Sequence, residues 1–231
     1  MLIGGLQKTT LLDYPGKIAA TVFTIGCNFR CPWCYSSELV LPEKIKNQPR
    51  ISEADFFNFL RKKRGLLDGV VICGGEPTIH QDLPDFVQKI KKLGFLVKLD
   101  TNGSNPKMVE QLVNKRLIDY IAMDVKAPKE KYSFYTGGRG NIVKIEKSIN
   151  LLKKAKVDYE FRTTVAQGLS KTDILKIVQW ITPAKGYFLQ EINLEKGIIN
   201  PEIRKLPLLS RKELQEIISE IKFNFSFCQL R

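Results

Sequence analysis

Residues 18–34 read Ile18-Ala19-Ala20-Thr21-Val22-Phe23-Thr24-Ile25-Gly26-Cys27-Asn28-Phe29-Arg30-Cys31-Pro32-Trp33-Cys34, a β-branched, apolar stretch that runs directly into three cysteines. The first eight residues predict a strand, and the C-x3-C-x2-C spacing puts three thiols just beyond its C-terminal end. Thiols this close together suit one small metal centre. Thiolate donors select zinc or an iron–sulfur cluster, and structural zinc takes four ligands. No fourth ligand is nearby: the only histidine, His80, follows a different predicted strand, Cys73 falls within a strand, and Cys228 lies near the far end. A cubane cluster held by three cysteines leaves one iron open, as a catalytic metal keeps a position for substrate. A zinc site completed by Cys73 or Cys228 is the alternative.

Outward from this loop, strand-like runs over 18–25, 69–73, 95–99, 118–123, 159–165 and 187–192 alternate with helical patterns over 52–64, 83–93, 106–116, 141–155 and 171–181. Ser52 ahead of an acidic first turn, and Asn105 followed by Pro106, mark two helix starts. The alternation predicts an α/β fold of parallel strands with right-handed crossovers, either an open sheet or an α/β barrel, and of these a partial (β/α)6 TIM-like barrel is the expected form. A single domain over 1–231 is expected, with the cysteine loop at 26–35 and an extension at 210–231. That extension reads as a helix over 211–220, then a strand or extended tail over 223–228. The least regular stretches, 39–50, 129–140 and 193–209, are candidate lids or partner-facing loops.

At 231 residues and 43% hydrophobic, the chain can bury a substantial core. No run approaches the roughly 20 apolar residues of a membrane span, and no signal-like start is present, so a cytoplasmic protein with no membrane partner is expected. The net charge is +13, and its densest clusters, 61–64 and 153–156, close predicted helices where cations complement the helix dipole. Neither is interleaved with aromatics, so nucleic acid is not the expected partner. Five cysteines, three of them within eight residues, are no disulfide framework.

Three further predicted strands end in polar motifs: Cys73-Gly74-Gly75-Glu76-Pro77, Asp100-Thr101-Asn102-Gly103 and Met123-Asp124-Val125-Lys126. Each alone is ordinary turn chemistry. In a parallel barrel the C-terminal strand ends gather on one face, so with the cysteine loop they converge on one site. Arg162 on the fifth strand is a candidate inward, catalytic residue, since an arginine is costly to bury unpaired. Gln190 on the sixth is a further candidate. His80 reads as local structure, Cys73 as a small buried side chain, and Cys228 carries no assigned role.

The motif C-x3-C-x-aromatic-C resembles the signature of the radical S-adenosylmethionine superfamily, and GGEP resembles its second motif. The resemblance implies a [4Fe–4S] cluster on Cys27, Cys31 and Cys34 whose open iron binds S-adenosylmethionine, with Trp33 against the adenine. It implies that Gly74 and Gly75 let the backbone approach the cofactor's methionine part, while Glu76 supplies a carboxylate or fixes the turn. Similar glycyl-radical activating enzymes use residues matching Asp100, Thr101 and Asp124 around a monovalent cation, and one matching Lys126 to contact the cofactor. Asn102, within the same motif, joins this cofactor-binding set. The head of the chain, Gly5-Leu6-Gln7-Lys8-Thr9-Thr10-Leu11-Leu12-Asp13-Tyr14-Pro15-Gly16, resembles the activating proteins of anaerobic ribonucleoside-triphosphate reductases, and the likeness spans about residues 4 to 192. It implies reductive cleavage to a 5′-deoxyadenosyl radical, a glycyl-radical enzyme as protein substrate, and a flavodoxin or ferredoxin-like electron donor. One departure is Tyr35-Ser36, where that family carries His-Asn. The alternatives are a small radical enzyme acting on a nucleoside or peptide, such as a 7-carboxy-7-deazaguanine synthase, a non-catalytic iron–sulfur electron carrier, and a zinc-stapled interaction module.

Overall fold

A strand sends successive side chains to opposite faces, and in the central strands of this chain one face is apolar while the other is polar or charged. A computed structural model describing residues 1–231 shows what that alternation builds. The strands are β1 (Ile3–Thr10), β2 (Ala19–Thr24), β3 (Gly69–Gly74), β4 (Leu96–Thr101), β5 (Tyr120–Asp124), β6 (Asp158–Val165), β7 (Ala184–Glu191) and β8 (Phe225–Leu230). They form one sheet in chain order, with β2 to β8 parallel and β1 antiparallel to β2. β1 and β8 do not pair, so the sheet stays open.

The helices are α1 (Ser37–Val40), α2 (Pro42–Ile45), α3 (Glu53–Lys62), α4 (Leu83–Lys92), α5 (Pro106–Asn114), α6 (Tyr132–Tyr135), α7 (Ile142–Lys154), α8 (Lys171–Ile181) and α9 (Arg211–Ile221). Val22, Ile72, Val97, Leu99, Ile121, Phe161 and Leu189 are buried in one core with helix residues such as Leu60, Phe86, Leu112, Ile149, Ile177 and Ile217. The alternate positions, among them Cys73, Asp100, Asp124, Arg162 and Gln190, line a cavity inside the barrel. Both expected caps form: the Ser52 side chain accepts from the Asp55 amide at 3.0 Å and Asn105 Oδ1 from the Met108 amide at 3.3 Å.

The six expected strands are β2 to β7, with ends shifted by a few residues, and β8 is the expected terminal strand. Two points differ. β1 was not expected, and because it joins antiparallel through a long turn over residues 11–18, the sheet is mostly rather than wholly parallel. In that turn Asp13 Oδ2 accepts from Thr21 Oγ1 at 2.6 Å, and buried Tyr14 lies with its ring centroid 6.0 Å from that of Tyr120. Glu160, fully buried, accepts from Tyr120 Oη at 2.7 Å and from Arg231 Nη1 at 2.8 Å. No helix is long and apolar enough to cross a membrane.

Candidate active site

The cysteine loop has little regular structure of its own, and its backbone polar groups are satisfied by neighbours. The Gly26 amide donates to the Leu39 carbonyl at 2.7 Å, and the Arg30 amide to the Thr136 carbonyl at 3.1 Å. The amides of Ile199 and Asn200 donate to the carbonyls of Cys34 and Pro32 at 3.1 and 2.9 Å. All three irregular stretches thus clasp the loop. Two side chains that the sequence reading did not single out complete the clasp. Arg30 Nη1 donates to the carbonyls of Cys27 and Phe29, each at 2.7 Å. Asn28 donates to Ser104 Oγ at 2.8 Å and accepts from Asn102 Nδ2 at 3.0 Å. Their only signal in the sequence was their place between cysteines.

The GGEP turn passes hard against this loop. Gly74 has φ +115°, and a Cβ there would stand 2.3 Å from the Thr24 amide nitrogen; one on Gly75 would stand 1.9 Å from the Gly26 carbonyl oxygen. The glycines are therefore required by the crossing of two backbone segments. Glu76 is buried, and its Oε1 accepts from Thr101 Oγ1 at 2.7 Å and the Thr78 amide at 3.1 Å, its Oε2 from the Asn102 amide at 2.6 Å. Burial pushes its pKa up against these bonds. Both carboxylate oxygens are thus engaged by groups of the β3 turn and the β4 end, the Thr101 hydroxyl among them.

Beyond them lies a five-membered charge network. Arg162 Nη1 donates to Asp100 Oδ2 at 2.9 Å and Arg162 Nε to Asp124 Oδ1 at 2.8 Å. Lys98, itself buried, pairs with Asp100 Oδ1, and Lys126 with Asp124 Oδ2 at 2.8 Å. Every carboxylate oxygen of the pair has a cationic partner. Burial alone would raise Asp124, but Arg162 and Lys126 prevail and hold it down at about 2. Asp100 is lowered in the same way by Arg162 and Lys98, while Arg162 and Lys126 are raised against burial by the aspartates. The positive charge expected from a monovalent cation between Asp100 and Asp124 is here the Arg162 guanidinium, so the structure lends that cation no support.

Cys27, Cys31, Cys34, Trp33, Cys73, Gly74, Gly75, Glu76, Asp100, Thr101, Asn102, Asp124, Lys126, Arg162 and Gln190 all line one cavity of about 880 Å³. The sequence-predicted set is brought together; His80 and Cys228 lie outside it. Trp33 is buried with its ring 5.2 Å from that of Tyr135. Burial pushes the thiols up, Cys27 to about 11, Cys31 to about 12, and Cys34 in the same direction. A metal centre therefore displaces protons when these thiols bind it. No three of the chain's His, Cys, Asp and Glu side chains converge on a single-ion site. Three free, soft donors around one cavity suit a cluster that gives each cysteine its own iron.

A family model described as the Radical SAM superfamily matches residues 21–181, well over half of the chain. The chain belongs to the radical SAM superfamily. This radical SAM enzyme is 34% identical over 224 residues to a protein of Methanocaldococcus jannaschii that carries the provisional name glycyl-radical enzyme activating enzyme, covering 94% of this chain and 90% of that one. It is 36% identical to the 7-carboxy-7-deazaguanine synthase of Aquifex aeolicus, but over 81 residues, 34% of this chain and 33% of that one. Among solved structures, a domain of a pyruvate-formate lyase-activating enzyme from Bacteroides vulgatus superposes with TM-score 0.57 at 17% identity, covering 71% of this chain and 98% of that one. At that identity the likeness shows the fold, the radical SAM partial barrel. Membership of the superfamily implies a [4Fe–4S] cluster and S-adenosylmethionine.

Proposed function

We propose that this radical SAM enzyme holds a [4Fe–4S] cluster on Cys27, Cys31 and Cys34, binds S-adenosylmethionine in the adjoining cavity, and installs a glycyl radical on a partner enzyme, an anaerobic ribonucleoside-triphosphate reductase. The observation that carries the chemistry is one cavity lined both by three thiols and by paired fixed charges. Support for the substrate is the likeness to a glycyl-radical activating enzyme over nearly the whole chain, against a third of the chain for the deazaguanine synthase.

A [4Fe–4S] cluster held by Cys27, Cys31 and Cys34, with S-adenosylmethionine bound beside it, would supply the radical chemistry that the partner's glycine undergoes. The protein's work is binding and orientation. The cofactor's amino-acid end is a zwitterion, and the network offers both signs: Lys126 and Arg162 face a carboxylate, Asp124 and Asp100 an ammonium. Being fixed by mutual pairing, these groups need little reorganisation when the ligand arrives. Trp33 offers an aromatic surface for the adenine. Gly74 and Gly75 bring the β3 turn and the cysteine loop into contact, and Glu76, Thr101 and Asn102 lock the β3 and β4 ends in register. Gln190, on β7 beside the strand that carries Arg162, is offered to the substrate. Arg30 and Asn28 hold the cysteine loop against tension from its metal.

The test is anaerobic: the chain is reconstituted with iron and sulfide, reduced, given S-adenosylmethionine, and 5′-deoxyadenosine is quantified beside a Cys34→Ala control. Product that vanishes in the control supports the reading. A fully loaded, reducible cluster with no product, alone and with a candidate reductase present, favours the electron carrier instead. Adding a reductase with a C-terminal glycyl-radical motif and recording its electron paramagnetic resonance spectrum tests the substrate. A doublet on the partner is expected; turnover of a deazaguanine precursor without it would overturn that assignment.

A further inference from the structure

Outside the barrel, α5 and α7 enclose a groove of about 1000 Å³ that none of the chemistry above uses. Along α7 its wall is Lys144, Lys147, Leu151 and Lys154, spaced three or four residues apart and so on one helical face. Three lysines thus form a stripe about 15 Å long. Lys107 of α5 faces them, and Glu110 is the single carboxylate. None of the four lysines makes an ion pair, and all are exposed. At one end the groove reaches Asn28, Ser104 and Ile79, an apolar side chain left open to solvent.

Asn28 is the key to what the groove serves, because it is bonded to Cys27, and Cys27 lines the inner cavity while Asn28 lines the outer groove. The shortest covalent path from the surface groove to a proposed cluster ligand is one peptide unit. The barrel side of the cysteines is the side that cofactor and substrate must occupy. An electron that starts the reaction has to come from elsewhere, and transfer rates fall steeply with distance.

We infer that this groove docks the reductant, a small acidic one-electron carrier protein of flavodoxin or ferredoxin type, and delivers its electron to the cluster beside Asn28; the inference rests on the cluster assignment proposed above. The balance is one electron: the carrier's reduced centre is oxidised by one and the cluster is reduced by one, with no bond made or broken. Unpaired lysines attract an acidic surface and orient its approach, and Ile79 gives a small apolar contact at the point nearest the cluster. The groove has no aromatic residue on which a nucleobase would stack, which favours a protein over a single-stranded nucleic acid.

The test pairs Lys144→Glu/Lys147→Glu with a control of equal charge change off the groove, Lys8→Glu/Lys212→Glu. Oxidised flavodoxin is titrated into each reconstituted protein, its cluster oxidised, by anaerobic calorimetry. In reconstituted protein, bleaching of the cluster absorbance is timed with reduced flavodoxin and with reduced methyl viologen, a cation that needs no basic dock. Expected for the groove variant is at least ~10-fold weaker flavodoxin binding and slower flavodoxin-driven bleaching, with a flattened salt dependence. Viologen-driven bleaching stays at the wild-type rate, and the control stays near wild type throughout. Equal flavodoxin binding and bleaching in groove variant and wild type overturns the inference, and so does a groove variant that loses binding to a single-stranded DNA oligonucleotide, titrated in the same way, while it binds flavodoxin as the wild type does. Viologen-driven bleaching without 5′-deoxyadenosine is a failure of the catalytic reading and leaves this readout intact.

Discussion

At the scale of single residues, Arg162 is the one cation that joins both aspartates of the cavity. Breaking a buried pair strands a charge, so Arg162→Met is expected to lower the unfolding free energy of the cluster-free protein by ~3 kcal/mol at neutral pH, read from urea midpoints. The pH dependence has a definite sign. Asp124 titrates at about 2 in the fold against an ordinary 3.8, and Asp100 is also lowered, so their pairing stabilises the fold above about 3.8 and is lost as pH falls toward 2. The difference between wild type and Arg162→Met is expected to shrink over that window; a difference constant from pH 7 to pH 2.5 would sink the assignment. The sequence showed that Arg162 needed partners but not which ones. They sit 38 and 62 residues away, joined by strand register, with Asp124 directly opposite Arg162. For the same reason Glu76 was legible as important while its role was not: its bonds to Thr101 and Asn102 cross between strands.

Among the elements, the contact that matters most is the cysteine loop against the turn after β3. Gly75→Ala pushes a methyl group into the Gly26 carbonyl, backbone against backbone, and the loop has to yield. We expect a folded protein, judged by far-ultraviolet circular dichroism, that retains clearly less iron after reconstitution and desalting than the wild type. Full iron retention would mean that the loop's position is not set there. Helix starts and parallel strands were legible because capping residues and β-branched runs are local signals. β1 was not: its sequence, IGGLQKTT, carries two glycines straight after Ile3 and then the exposed polar residues Gln7, Lys8 and Thr9, and only pairing with β2 makes it a strand. The clasp on the loop escaped notice because the stretches that form it act through backbone groups, which carry no residue code.

For the molecule as a whole, the telling feature is that charge is stored inside. Glu160 has no exposure and depends on Arg231, at the other end of the last strand's path, with Tyr120 as its second donor. Arg231→Met is expected to cost about 2 kcal/mol in urea unfolding, and the double variant with Glu160→Gln to cost less than the sum of the singles. Strict additivity would mean that the two side chains do not interact in solution. A net charge of +13 was plain from composition, yet its arrangement into a bare lysine stripe on one side and a neutralised interior on the other was not. Charge totals carry no address.

The unjoined edges of β1 and β8 have a mechanical consequence. A closed barrel has its diameter set by strand number and stagger, and any change of bore breaks a seam of backbone hydrogen bonds. This molecule is a split collar. Its circumference is free to flex by small adjustments of twist between neighbouring strands, with every ladder intact. The ring therefore imposes no fixed bore, and a change of width at its two free edges breaks no backbone hydrogen bond.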